Sequence, residues 1–278
     1  MTEAPSVPGA SLLSISIVTW RLDARLFAQV LAHLQLAVNH LERTHGTRVR
    51  VTIVNNGSDA AILRSLLSGN TLAASTEIIS PGANLGYGRA HNLAIATSTA
   101  AYHLVMNPDV LVAEDALSSA VNFLESHANV VALSPYASDG NGNTAYLCKR
   151  YPALVDLLLR GFAPSSLRKR FSARLERYES RAATEQGTAA EVELISGCFM
   201  FCRTSALRKV QGFNPMFFLY FEDFSLSLEL RKFGQLIYHP ACRIVHFGGH
   251  AGRKGLRHVA YFMASAFKFY QRYGWKLF

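Results

Sequence analysis

Charge is scarce in this sequence of 278 residues: Asp, Glu, Lys and Arg together make up 17%, while half of all residues are hydrophobic. That balance excludes a disordered, self-repelling chain and is enough for one large α/β domain, alone or with an appendage. Long apolar runs are also missing. The longest, around 192–202 and 213–221, are too short to span a bilayer. The opening MTEAPSVPGASLL lacks the basic start of a signal peptide and runs directly into a strand-like segment. A cytosolic protein, able to rest on the inner face of a membrane, is expected. Cysteine is sparse: Cys148, Cys198, Cys202 and Cys242 form no CxxC pair. Reduced thiols, buried as small hydrophobes, are expected. No P-loop and no GxGxxG appears. A nucleotidyltransferase would want a Gly-rich basic loop near the N-terminus, where SIVTWRLD stands instead.

The net charge of +9 is unevenly spread. Residues 160–181 carry a net +5 and residues 250–278 a net +6, so the rest of the chain is slightly acidic. Such segments favour anionic partners: lipid headgroups, pyrophosphates or nucleic acid. No nucleic-acid-binding motif accompanies them, and no nucleic-acid partner is expected.

Residues 14–20, SISIVTW, read as a buried strand, and 22–43 follow with helical spacing. Residues 48–54 make a second strand that stops at the turn cluster NNGSD. A short helix at 60–68, a strand at 76–80, the loop PGANLGYG and a helix at 88–98 come next. AYHLVM is a fourth strand ending at Asn107-Pro108-Asp109. A helix at 114–127 and the strand VVALSPY complete the half. The alternation predicts a mostly parallel sheet with helices on both faces. Ligands of such sheets sit beyond the carboxyl ends of the strands. Four of those ends carry small polar residues: Thr19, Asn55-Asn56, the 82–92 loop and Asn107–Asp109. Beyond about 140 the pattern changes. A basic helix-favouring stretch at 154–181, an apolar strand at 192–202 interrupted at Ser196-Gly197, a helix within 213–233 and a strand pair at 235–247 are expected. The tail from 255 reads as an amphipathic helix with Leu256, Val259, Met263, Phe267 and Tyr270 on one face.

Several clusters carry chemistry. A carboxylate at Asp109, after a strand, can hold a divalent cation that bridges two phosphates, or can simply form a Pro-Asp turn. Glu222-Asp223 emerges from nine uncharged residues. Adjacent carboxylates in apolar surroundings shift pKa, which suits a general base; acids in the first turn of a helix are the alternative. The glycines of 82–88 permit close approach of a ligand to the backbone, and the helix after them attracts anions; a plain surface loop is the alternative. His246 follows a strand and could ligate metal or phosphate, or be structural. A zinc site of Cys242, His246 and His250 lacks a second cysteine pair.

Together the segments SIVTW, VNNGSD, NLGYGRAHNLAI, VMNPDV, ISGCFMFCRTSALRKVQGFNPMFFLYFEDFSLSLELRKFG and VHFGGH resemble the family 2 glycosyltransferases of the GT-A fold. They look most like the bacterial branch that holds rhamnosyltransferases of surface-polysaccharide assembly. The resemblance runs over roughly residues 14–250. It implies an α/β, Rossmann-like nucleotide-binding fold with a donor half at 11–137 and an acceptor-side half at 138–250, followed by the basic helix at 251–278.

The resemblance also implies roles. Thr19 and Trp20 would line the nucleobase pocket, with Asn55, Asn56 and Ser58 in the turn beside it. Asn84, Gly86, Arg89 and Asn92 would border the donor's base, ribose or phosphates. Asn107 and Asp109 stand at the first and last positions of a D-x-D motif. Asp109 and His246 would hold Mg²⁺ or Mn²⁺. Asp223 would be the general base with Glu222 beside it, and Gly197 and Phe221 would belong to the acceptor side. Asn55 stands where relatives usually have Asp, Asn107 removes one charge from the metal site, Ser225 replaces a further Asp, and His250 stands near a usual Ser or Thr. The implied reaction is single displacement with inversion. The donor would be dTDP-rhamnose or a UDP-hexose, and the acceptor a saccharide or lipid-linked hydroxyl. A non-catalytic nucleotide-sugar-binding protein is the competing reading.

Overall fold

The structure, a computed structural model, describes residues 11–248 and 255–278. His250 lies outside the described residues. In chain order the first half contains β1 (Leu13–Thr19), α1 (Ala24–His45), β2 (Val49–Asn55), α2 (Ala60–Ser68), β3 (Thr76–Ile79) and α3 (Tyr87–Thr97). Then come β4 (Tyr102–Met106), β5 (Val110–Val112), α4 (Ala116–Ser126) and β6 (Val130–Ser138). The second half contains β7 (Cys148–Lys149), α5 (Leu154–Phe162), α6 (Ser165–Arg170), α7 (Ser172–Tyr178) and α8 (Arg181–Thr184). It continues with β8 (Ala190–Glu191), β9 (Leu194–Ile195), β10 (Phe199–Arg203), α9 (Thr204–Lys209), α10 (Glu222–Leu230), β11 (Gln235–His246) and α11 (Leu256–Tyr273).

The sheet runs in the order β3-β2-β1-β4-β10-β6-β11-β5, with β8 on β11. The expected parallel pattern holds for β3-β2-β1-β4. Beyond it the sheet is mixed, because β10 enters antiparallel between β4 and β6. Both halves of the sequence therefore share one sheet. The strand expected over 192–202 divides into β9 and β10 around Ser196-Gly197. The strand pair expected at 235–247 is a single strand, β11, with an irregularity between His239 and Arg243. Pro240 falls inside that irregularity and has no N–H to give to a ladder. The basic stretch 154–181 becomes four short helices, α5–α8. β5 is too short to carry a periodic signal.

Leu13, Ile15 and Ile17 of β1 bury against α1, α2 and α4 on one face. The other face packs on α3, α9 and α10 through Val105, Met200, Cys202 and Leu207. Asp23 and Asp59 cap α1 and α2 by accepting two backbone N–H bonds each. Behind β1 runs a buried polar chain. Ser14 Oγ lies 2.7 Å from His103 Nδ1, Ser16 Oγ 2.9 Å from His103 Nε2, and Ser16 Oγ 2.7 Å from His91 Nδ1. Burial drives His103 down to about 3 and His91 well below the ordinary histidine range. His103 is thus a neutral bridge between β4 and β1, and His91 one between α3 and β1. All four cysteines are buried and free of disulfides, as expected.

A third cluster joins Phe217, Phe221, Phe269 and Tyr270, so that α11 packs directly on the segment before α10. The Ser225 hydroxyl lies 2.8 Å from that of Tyr273, which explains the small residue there: it faces α11.

Candidate active site

The carboxyl ends of β1 and β2 meet in a turn. Asn56 N donates to Thr19 O at 2.9 Å. Asn55 Oδ1 accepts from Gly57 N and Ser58 N, closing its own turn. Asn56 donates to Asn84 Oδ1 and Gly86 O and accepts from Leu85 N, tying this turn to the 84–86 loop. Among the described residues, Thr19 Oγ1 and Ser58 Oγ are buried with no hydrogen-bond partner. Buried hydroxyls are normally paired, so each is an exception in this turn that calls for a partner. The Trp20 ring lies on Gly57, 48% exposed, with the Arg21 guanidinium 5.5 Å from its centre.

Gly86 adopts φ +82°, and a Cβ there would run into the Phe218 carbonyl, which accepts from Tyr87 N at 3.0 Å. Arg89 and Asn92, expected beside the donor, bond to the backbone of the 212–218 segment. Arg89 Nε donates to Pro215 O at 2.7 Å, and the Asn92 carboxamide exchanges both its bonds with Phe213. The segment 212–218 has no ladder to join, so its backbone groups take side-chain partners. In this structure these two residues clamp that segment to α3.

On the other side of the site, Asn107 N donates to Cys198 O at 2.9 Å. β11 pairs antiparallel with β5, opposing His246 to Val110. Asp109 Oδ1 thereby lies 3.4 Å from His246 Nε2. Burial pushes the His246 imidazole down, but Cys198 and the Asp109 carboxylate beside it prevail and raise it to about 10. A Cβ on Gly248 would stand 2.6 Å from His246 Nε2 and 2.7 Å from Asp109 Oδ2. Gly248 therefore packs closely on both side chains, and any larger residue there would have to displace one of them.

The acid pair opens α10. Tyr220 and Phe221 before it both adopt left-handed backbone, φ +69° and +63°. Such conformations cost about 1–3 kcal/mol each in non-glycine residues and persist only where the surroundings impose them. Here the Tyr220 hydroxyl lies 2.8 Å from His258 Nδ1, and the Phe221 ring is buried against Phe224, Phe262 and Phe269. Phe221, expected on the acceptor side, is therefore an anchor in the aromatic cluster beneath it. Asp223 Oδ2 accepts from Gly197 N at 3.0 Å and Oδ1 from Phe224 N at 2.9 Å. Burial raises Asp223 while these two N–H groups support its charge. Glu222 is buried, and among the described residues its Oε2 has no hydrogen-bond partner. Burial, and then the charge of Asp223, push its carboxyl up to about 8.

The two sides meet at one dipeptide. Gly197 N holds Asp223, Gly197 O accepts from the Tyr87 hydroxyl at 2.5 Å, and Cys198 O holds Asn107 N. Tyr87, Cys198 and Gly248 are absent from the residues singled out by sequence. Each lies inside a segment quoted there, NLGYG, ISGCF or HFGGH, but its residue type suggests packing and carries no chemical signal.

The family model for glycosyl transferase family 2 matches residues 29–210, more than half of the chain. A Mycobacterium tuberculosis protein named N-acetylglucosaminyl-diphospho-decaprenol L-rhamnosyltransferase is 25% identical over 241 residues, covering 82% of this chain and 76% of the relative. Rhamnosyltransferase WbbL of Escherichia coli is 26% identical over 211 residues, 72% of this chain and 74% of the relative. Among solved structures, GalNAc-T7 with UDP, GalNAc and Mn²⁺ superposes with TM-score 0.61 at 12% identity. It covers 88% of this chain, which spans only 44% of the GalNAc-T7 chain. The mannosyltransferase PcManGT of Pyrobaculum calidifontis, with GDP-Man and Mn²⁺, superposes with TM-score 0.60 at 15% identity, covering 95% of this chain and 66% of its own. The fold is that of the GT-A glycosyltransferases, and the chain belongs to glycosyl transferase family 2.

Proposed function

We propose that this protein is an inverting, metal-dependent glycosyltransferase of cell-surface, O-antigen-like polysaccharide assembly. It moves rhamnose or a hexose from a nucleoside diphosphate to a hydroxyl of a saccharide or lipid-linked acceptor. The observation that carries this reading is the Gly197-Cys198 dipeptide, which ties Asp223 on one side and the Asn107–Asp109 turn on the other. The names of the relatives support rhamnose and a diphosphate-linked acceptor. Solved neighbours carrying a nucleoside diphosphate with Mn²⁺ support that class of donor.

Asp109 and His246 would hold Mg²⁺ or Mn²⁺: their donor atoms lie 3.4 Å apart, and the cation would take the place of the proton that Asp109 now favours on the imidazole. When bound, the cation neutralises the diphosphate and makes it a better leaving group. Among the described residues no cluster of three His, Cys, Asp or Glu side chains forms a metal cage. Magnesium-type sites often have few protein ligands and are completed by substrate phosphates, so metal and donor should bind together. Thr19, Ser58 and the exposed Trp20 offer hydroxyls and a stacking face to the nucleoside. Asp223 takes the proton of the acceptor hydroxyl as that oxygen bonds to the anomeric carbon and the bond to the diphosphate breaks. Glu222, held neutral, leaves Asp223 as the member of the pair that can carry the anion.

A thermal-shift panel of dTDP-, UDP- and GDP-sugars, with and without Mn²⁺, tests the reading. One nucleotide class should raise the melting temperature only when Mn²⁺ is present, and Asp109→Ala should abolish that rise. Metal-independent stabilisation, or none from any nucleotide, would overturn it.

A further inference from the structure

α11 is apolar on two sides. Its inner side, with Phe262, Ala266, Phe269 and Tyr270, is packed against the segment before the acid pair. Its outer side carries Leu256 (87% exposed), Val259, Met263 and Phe267, spaced at i, i+3, i+7 and i+11. Such spacing draws one stripe along a helix. Of the face expected from sequence, only Tyr270 turns inward. The stripe continues past the helix into Trp275, Leu277 and Phe278, all exposed. Leu154 N and Val155 N of α5 donate to Lys276 O and Leu277 O, so this end of the chain is fixed to α5, which adds exposed Leu158. The described residues 255–278 contain Arg257, Lys268, Arg272 and Lys276 and no acid. No helix among the described residues is long and apolar enough to cross a membrane.

We infer that the outer stripe of α11, with its tail and α5, docks in the plane of an anionic lipid bilayer. Arg272 is paired with Glu229 and Lys268 donates to Met216 O, which leaves Arg257 and Lys276 as the exposed cations beside the stripe. Large apolar side chains flanked by such cations suit the interface between acyl chains and negative headgroups. The same charges disfavour a second copy of this chain as the occupant, since a two-fold contact would set identical cationic borders against each other. Docking here places the acid pair near the bilayer, because the inner side of the same helix packs beneath it. A lipid-linked acceptor of the kind proposed above would then present its head where Asp223 can reach it. The docking itself does not depend on that reading.

Vesicle flotation of the full-length protein tests the inference. Wild type should float with phosphatidylcholine–phosphatidylglycerol vesicles and far less with phosphatidylcholine alone. Met263→Asp with Phe267→Asp should remove flotation, and Arg257→Glu with Lys276→Glu should weaken it roughly 20-fold or more, given the contribution of each basic residue near an anionic surface. All four side chains are exposed, and circular dichroism with a melting curve confirms that the variants fold. Wild type that stays with neither vesicle, or variants that float like wild type, overturn the inference. So does sedimentation showing that the stripe holds a dimer in the absence of flotation. Donor binding in the thermal-shift panel is read separately, so loss of docking and loss of the transferase reading are distinguishable.

Discussion

At the scale of single residues, the two carboxylates of the acid pair are neighbours in sequence with unlike surroundings. Asp223 accepts two backbone N–H bonds, whereas Glu222 Oε2 accepts none among the described residues. Asp223→Asn should lower turnover by about 10²–10⁴-fold, the usual size of general-base assistance, with donor affinity unchanged in calorimetry. Loss of both together would contradict the assignment. Because the Asp223 pKa is raised, turnover should fall as pH drops through a value above the ordinary carboxylate range. Glu222 is a folded-state acid raised to about 8. Its neutral form favours the fold, so that stability is complete below the ordinary glutamate pKa and is lost as pH rises toward 8. A melting-temperature series from pH 5 to 9 should therefore slope downward in wild type and flatten in Glu222→Gln. At position 248, Gly248→Ala should leave the melting temperature nearly unchanged and remove the Mn²⁺-dependent response, since the new Cβ lands between Asp109 and His246.

Elements explain what sequence did and did not reveal. Short apolar runs that end abruptly in polar residues made β1, β2 and β4 legible, and with them Thr19, Asn55 and Asp109 at or just beyond the strand ends. Chain direction leaves no periodic trace, so the antiparallel entry of β10 between β4 and β6 was not readable. That entry brings Gly197 to Asp223 and Cys198 to Asn107. The partners of Arg89 and Asn92 were hidden for a related reason: a polar side chain after a glycine loop looks alike whether its partner is a phosphate or a distant carbonyl. The 212–218 strap they hold is irregular and invisible to pattern. Gly86→Ala tests the strap, because it imposes a disfavoured φ and a collision with the Phe218 carbonyl. Proteolysis should then open the chain within 212–220 before the sheet unfolds.

For the whole molecule, α11 is part of the catalytic domain's core. Its inner side completes the cluster that imposes left-handed backbone on Tyr220 and Phe221. Phe221→Ala should cost about 3–5 kcal/mol in denaturant unfolding, as large-to-small changes in packed cores do. A chain ending at Gly255 should lose the cooperative melting transition of the intact protein, because Phe217, Phe221 and Phe224 would face water. A truncated chain that melts like the intact one would show that the cluster is dispensable.

The dipeptide Gly197-Cys198 has one more consequence. Adjacent Cα atoms are about 3.8 Å apart across a trans peptide, and on this one unit hang the groups proposed to release the donor's diphosphate and to deprotonate the acceptor. Each is tied to it by a hydrogen bond, from Gly197 N to Asp223 Oδ2 and from Asn107 N to Cys198 O, so a shift of this one peptide unit would move the acid and the Asn107–Asp109 turn together.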